Sequence, residues 1–442
     1  MKSFTNFNFN DKIFNKRNFN AYPITLKFFI SQKLLYKFIF NYQVNFFDIV
    51  LFNLFNLLLK FLRYGKLILL KENYMEWKKE LETNIKTAEG VKKALNWELD
   101  AEDEEKLKSI IKKYPMSIPE YYLSLINPHD PDDPIKKLCI PSIKETDLSG
   151  SLDTSGEASN TVVKGLQHKY RQTGLILSTN KCAMYCRHCF RKRLVGQSDD
   201  EINNCFDEII NYIKNHEEMT NVLISGGDSF MNSNEKIKHY LSELVKIDHL
   251  SFIRFGTRTP VVLPSRIYGD EELLEILGHY NKQKQIYVIT HFNHPNEITE
   301  ESIKAIDALK NQGIIARNQT VLLKGINDNS ETLATLLRRL TEIGVVPYYV
   351  FQCRPVSGVK NQFQVPFKTS CKIVDGARAR LNGISKSFKY AMSHPTGKIE
   401  ILGEIENNKI LFKYHQTKYE KDQGRIMSIE VTDNQAWLPD VI

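Results

Sequence analysis

From residue 173 onward the chain alternates short apolar runs with amphipathic stretches, and this alternation limits the folds open to it more than any other feature. The runs are GLILST (174–179), NVLIS (221–225), SFIRF (251–255), QIYVIT (285–290), GIIARNQTVLL (313–323) and VVPYYVF (345–351). Between them lie segments such as CFDEIINYIKNH (205–216) and ESIKAIDALKNQ (301–312), whose apolar residues recur at helical spacing. After a longer first step the runs start roughly every 30 residues, the size of one strand–helix unit. Right-handed strand–helix–strand crossovers build a parallel sheet. Six units predict an α/β fold of the open or partial (β/α)6 barrel kind, short of the eight units of a closed barrel.

The unusual residues fall just after the predicted strands. A cysteine cluster follows the first, Gly226-Gly227-Asp228 the second, Gly256-Thr257-Arg258-Thr259-Pro260 the third and His291-Phe292-Asn293-His294-Pro295 the fourth. Asn318 and Gln319 lie late in the fifth, and Cys353-Arg354-Pro355 follows the sixth. Parallel α/β folds bind ligands at the carboxyl ends of their strands. All six places are therefore expected to converge on one site.

Of the seven cysteines, Cys139, Cys205, Cys353 and Cys371 are scattered, and Cys182, Cys186 and Cys189 are tightly spaced. An odd count with one tight cluster argues for a metal site in a reducing compartment and against a disulfide framework. Three thiolates on one loop can ligate three irons of a cubane cluster, and with no fourth cysteine nearby one iron stays open for a ligand. The competing reading, a zinc site, wants four Cys/His ligands, often as two paired motifs. His188 lies between two of the cysteines, where joint coordination is awkward.

The formal charge of +8 is spread in both signs along most of the chain. That suits a protein with anionic small-molecule ligands better than a nucleic-acid binder, because dense basic tracts interleaved with aromatics are missing past residue 75. Residues 1–74 are atypical, rich in Asn, Phe, Leu, Ile and Lys. The apolar stretch Phe46–Leu62 carries Asp48, Asn53, Asn56 and Lys60, so a membrane span is not expected. The natural protein is expected to begin at Met75. Residues 75–165 are expected to be a helical region ending in a long Ser/Thr/Gly/Asp-rich loop over 145–165. The barrel should occupy 166–365 and a C-terminal region 366–442.

CAMYCRHCFRKR after a strand resembles the lysine 2,3-aminomutase family of radical S-adenosylmethionine enzymes. YYLSLINPHDPDDPI, LISGGD, GTRTPVVLPSRI, THFNHPNE, NQTVLLKGIND and PYYVFQC extend the resemblance from about Trp77 to Leu402. It implies a radical SAM partial barrel with an N-terminal helical extension and a C-terminal segment carrying a cofactor lysine. It implies that Cys182, Cys186 and Cys189 hold a [4Fe–4S] cluster whose open iron chelates S-adenosylmethionine. Ser225, Gly226, Gly227 and Asp228 match the motif at the methionine amino end of that ligand, and His188 and Gln319 match positions near it. Glycines permit close backbone approach, and a carboxylate suits an ammonium.

The resemblance also implies pyridoxal 5′-phosphate (PLP), carried on a lysine in a glycine-rich loop. Here Lys398 in Ser393-His394-Pro395-Thr396-Gly397-Lys398 matches, in a shorter loop with one glycine. A lysine must lose its proton to form a Schiff base, which burial favours. Lys169 and Tyr170 match positions near the cofactor phosphate, while an arginine common a few residues later is Thr173. Arg191 matches the arginine that pairs with the substrate α-carboxylate, a task for its planar fork. Lysine-specific members carry aspartates at the places of Arg354 and Ser393, facing the substrate ammonium. With both missing, lysine is not the expected substrate, and Arg354 can bind a side-chain carboxylate. Members also bind zinc through a cysteine after Asn-Asp. Asn329 stands there and no cysteine follows Cys371, so that zinc site is expected to be absent.

The reading is thus an amino acid 2,3-aminomutase, with a glutamate-like substrate favoured. The alternatives are a relative that modifies a lysine of a translation factor and a non-catalytic iron–sulfur relative. The expected partners are a small amino acid and an electron donor such as flavodoxin or ferredoxin. No nucleic acid or membrane is expected, and a cytoplasmic location and a homo-oligomer are expected. The tail 399–442 is expected to cover the pocket or contact a partner subunit.

Overall fold

The structure, a computed structural model, describes residues 77–97, 100–202, 205–406 and 408–440, all within the compact unit Leu70–Ile442. The segment 1–74, the apolar stretch Phe46–Leu62 and the expected start at Met75 lie outside the described residues. No helix among the described residues is long and apolar enough to cross a membrane.

Among the described residues, twelve strands form one sheet in chain order. The six expected strands are β3 (Thr173–Thr179), β4 (Asn221–Gly226), β5 (Phe252–Gly256), β6 (Gln285–Thr290), β7 (Ile315–Leu322) and β8 (Val346–Gln352). They pair in parallel. In register across the sheet run Ile176, Ile224, Phe255 and Val288, all buried. They pack against Ile209 and Ile213 of the helix Phe206–Lys214 and Leu309 of Glu300–Asn311, the two helices expected from the apolar spacing. The alternate residues Leu175, Leu223 and Arg254 point to the opposite face, which lines a cavity, as the two-residue period of a strand dictates.

The sheet is larger than expected. A seventh parallel strand, β9 (Lys389–His394), joins β8. Antiparallel strands extend both edges: β1 (Thr161–Val163) and β2 (Leu166–Tyr170) before β3, then β10 (Gly397–Ile405), β11 (Lys409–Thr417) and β12 (Ile426–Glu430) after β9. The sheet runs across the expected divisions at 165/166 and 365/366. The lysine-bearing loop is a hairpin, with His394 paired to Gly397 and only Pro395 and Thr396 between. Gly397 is required there by close approach, since a Cβ would stand 2.4 Å from the Gln416 carbonyl oxygen.

The N-terminal region is helical but broken. Residues 77–82 are helical, and then Ile85 exchanges backbone hydrogen bonds with Ile118. Thr87 caps a new helix, Ala88–Leu95, by accepting from the Gly90 amide. Between them Asn84 donates to Ser117 and to the Ala183 carbonyl inside the cysteine loop, both at 2.8 Å. Those tertiary bonds outweigh the helical periodicity read from the sequence. The expected loop 145–165 contains β1 and the short helix Glu157–Asn160. Asp153 fixes it by accepting from the amides of Ser155, Glu157 and Ala158.

Candidate active site

One cavity of about 330 Å³ opens at the carboxyl ends of the parallel strands. Every site residue expected from the resemblance lines it: Cys182, Cys186, Cys189, His188, Arg191, Ser225, Gly226, Gly227, Asp228, Gln319, Arg354, Ser393, Lys398, Lys169 and Tyr170; of the five residues His291–Pro295 only His291 does. Its charged lining is strongly cationic, with Lys169, Arg191, Arg254, Arg258, Arg354 and Lys398 against Glu157 and Asp228. Such a space suits ligands that bring carboxylates or phosphates.

The three cysteines sit on the loop after β3. Among the described residues no three His, Cys, Asp or Glu side chains come close enough together to hold one metal ion. A cubane cluster, unlike a single ion, takes its three thiolates at three separate irons. Burial raises the Cys182 thiol well above its ordinary value and Cys189 to about 11. The loop is anchored from behind by the same basic run that surrounds it. Arg187 and Lys192, both buried, converge on the fully buried Glu145, with Arg187 Nε 2.9 Å and Lys192 Nζ 2.6 Å from its carboxylate. Burial brings Lys192 down to about 8 against the pull of Glu145.

The two glycines at the end of β4 also have a packing role within the protein. A Cβ on Gly226, whose φ is +116°, would stand 2.2 Å from the Thr179 carbonyl oxygen. One on Gly227 would stand 2.4 Å from that of Lys181. The glycines thus let the end of β4 pack against the start of the cysteine loop. Asp228 is buried and accepts from Thr257 Oγ1 at 2.6 Å, the Phe230 amide at 3.0 Å and the Arg258 amide at 2.6 Å. Burial raises its carboxyl, and these bonds work against the rise. It ties the loops after β4 and β5 together.

Arg191 donates through Nε to Glu157 at 2.8 Å and through Nη1 to Ser225 Oγ and the Gly226 carbonyl, each at 3.2 Å. Glu157 also accepts from Arg193 at 2.9 Å. Burial works to raise the Glu157 carboxyl, but Arg191, Arg193 and Arg354 outweigh it and hold it at about 2. The guanidinium carbons of Arg191 and Arg354 lie 4.6 and 4.1 Å from the centroid of the same ring, Phe190. Arg354 Nη1 is buried without a hydrogen-bond partner. Burial lowers this guanidinium to about 10, with Glu157 partly offsetting it.

Lys398 is the second residue of β10. Its Nζ lies 4.3 Å from the Tyr349 centroid, 5.6 Å from Phe351 and 5.9 Å from Tyr170. Burial, then the charges of Arg254 and Arg354, bring it down to about 7. Lys169 Nζ donates to the carbonyls of His394 at 2.5 Å and Ser155 at 3.3 Å. Burial, then Arg354, Lys418 and Lys398, bring it also to about 7. Burial pushes the Tyr170 phenol up to about 12. His188 and His291 are half-buried and held below the usual imidazole range, His291 at about 4, by desolvation and then Arg258. The tail adds a wall, since Gln416 of β11 lines the cavity.

Two charged lining residues, Glu157 and Arg254, were not singled out from the sequence. Arg254 was detectable, because in SFIRF it is a charged residue on the inward face of a strand. Arg258 stood inside the noted GTRTP motif. Glu157 lies in a polar stretch where no periodicity marks it.

Residues 176–337 match the radical SAM superfamily model. The chain is 40% identical over 345 residues to a putative L-lysine 2,3-aminomutase of Aquifex aeolicus, covering 78% of this chain and 92% of that one. It is 39% identical over 314 residues to the L-lysine 2,3-aminomutase of Clostridium subterminale, 70% of this chain and 74% of that one. It is 36% identical over 329 residues to the glutamate 2,3-aminomutase of Clostridioides difficile, 74% of this chain and 76% of that one. The chain belongs to the lysine 2,3-aminomutase family of radical S-adenosylmethionine enzymes. As such it works with a [4Fe–4S] cluster and S-adenosylmethionine.

Proposed function

We propose that the chain moves an amino group between C2 and C3 of a small amino acid other than lysine, with an acidic side chain favoured. Cys182, Cys186 and Cys189 would hold the cluster, with His188, Ser225, Gly226, Gly227, Asp228 and Gln319 around S-adenosylmethionine. The electron comes from an external low-potential donor of the flavodoxin or ferredoxin type. Lys398 would carry PLP, with Lys169 and Tyr170 toward its phosphate. The fit rests on a half-buried lysine near neutrality among three aromatic rings. When bound, PLP supplies a conjugated ring system over which an unpaired electron can spread. The protein's part is to keep Lys398 near neutrality, to exclude water from it and to orient the substrate carboxylates.

The observation that carries the substrate reading is Arg354. A half-buried cation whose buried Nη1 lacks a partner is costly until an anion reaches it. Glu157 is already engaged by Arg191 and Arg193. The two guanidinium carbons can be no farther apart than the sum of their distances to the Phe190 centroid, so one small dicarboxylate can reach both. A lysine side chain would instead bring a second cation to Arg354.

The test is an anaerobic assay of single amino acids with S-adenosylmethionine and a one-electron reductant, read as β-amino acid products. Turnover of acidic amino acids is expected, and turnover confined to lysine would overturn the proposal. Borohydride reduction followed by peptide mass spectrometry should place a pyridoxyl group on Lys398.

A further inference from the structure

Arg258 follows β5 and belongs to no ligand assigned above. Its Nη1 donates to Cys186 Sγ at 2.7 Å. Every other edge of the guanidinium is also occupied. Nη2 donates to Glu297 Oε1 and, at 3.2 Å, to the Tyr122 hydroxyl; Nε donates to the His291 carbonyl at 3.1 Å. Tyr122 in turn donates to Glu297 at 2.6 Å, and Glu297 Oε2 accepts from the amides of Asn293 and His294. The backbone amide of Arg258 is bound to Asp228. Arg258, Glu297 and Tyr122 are all buried. One N–H is therefore aimed at a cysteine sulfur by a fixed network.

We propose that Arg258 sets how readily the cluster takes up its electron, acting through the Cys186 sulfur as a positioning residue. The inference rests on the reading of Cys186 as a cluster ligand. Uptake adds one electron, from the external donor, and breaks no bond; Arg258 keeps its protons throughout. The added negative charge spreads onto the ligand sulfurs, so a donor hydrogen bond to one of them favours the reduced cluster over the oxidised one. The burial of Arg258 strengthens the effect. Glu297 neutralises much of the guanidinium charge, and this sets the extent of the effect. Removing Arg258 should disfavour reduction, and neutralising Glu297 should favour it.

The experiment is a redox titration of the full chain, anaerobically reconstituted with iron and sulfide, followed by electron paramagnetic resonance. At a fixed potential, Arg258→Met at parental iron content should lower the ratio of reduced to oxidised cluster about tenfold. Arg258→Lys should recover only part, since an ammonium cannot keep the fork of contacts. Glu297→Gln, which leaves Arg258 in place, should raise the ratio. An unchanged ratio in Arg258→Met overturns the proposal. Should Arg258→Met fail to retain iron, an unchanged or lowered ratio in Glu297→Gln overturns it. Failure of the parent chain to assemble any cluster would instead sink the assignment of the three cysteines.

Discussion

Ser393 and Lys398 are directly opposed residues of the antiparallel β9–β10 hairpin, so their side chains leave the sheet on the same face. Opposed side chains in such a ladder stand within ~5.5 Å of each other at Cβ. A carboxylate at 393 would favour the charged form of Lys398, which burial otherwise holds at about 7. Ser393→Asp should therefore move the pH midpoint of borohydride-trapped pyridoxyl incorporation to higher pH. A midpoint that stays in place would show that the hairpin pairing does not govern the lysine.

The same depressed lysine affects stability. Unfolded, Lys398 keeps its proton up to the ordinary value near 10.5; folded, it loses it near 7. The unfolded chain binds more protons between those values, so stability should rise with pH across that window. Lys398→Met removes the contribution. It should be more stable than the parent at pH 7, on the order of a few kcal/mol, with the difference shrinking toward pH 10. Urea titrations at several pH values measure this, and an equal gap at both ends would contradict it.

Specificity should be exchangeable at two positions. Arg354→Asp leaves Arg191 and its contact with Glu157 in place while reversing the charge beside Phe190. Turnover of an acidic substrate should fall on the order of a hundredfold in kcat/KM, the scale of losing one partner of a buried charge pair. The double change Arg354→Asp with Ser393→Asp should bring in lysine as a substrate. Unchanged preference in the single variant would mean that Arg354 does not meet the substrate.

Glu145 holds Arg187 and Lys192 in a site closed to solvent. Glu145→Ala leaves two buried cations uncompensated and should cost about 3–5 kcal/mol in chemical denaturation. Combining Glu145→Leu with Arg187→Met and Lys192→Met should recover much of that loss, because well-packed apolar groups replace buried ion pairs at little cost.

Gly226→Ala should fold around the rest of the sheet yet lose bound iron. The new methyl meets the Thr179 carbonyl, and φ at this position is strained for any other residue. Iron per chain after anaerobic reconstitution checks this, and parental loading would show that the loop tolerates the shift.

The parallel core was legible because its signal is local. Runs such as NVLIS and QIYVIT match β4 and β6 to within a residue, and the polar residues at their ends converge on one cavity. What the sequence hid is what depends on distant partners. Residues 77–95 have helical spacing throughout, yet Asn84 and Ile85 are taken out of the helix by Ser117, Ala183 and Ile118. β9–β12 were missed because a Pro-Thr-Gly stretch reads as a loop until Gln416 shows what the glycine packs against. Glu157 was missed because nothing near it in the sequence announces the two arginines it binds.

Phe190 has a consequence for selectivity that neither arginine has alone. An aromatic face attracts both cations, and sharing one ring holds their separation under a fixed upper bound. Ligands would then be sorted by the number of methylenes between their two carboxylates. Charge brings a dicarboxylate to the site, and the shared ring limits how long it can be.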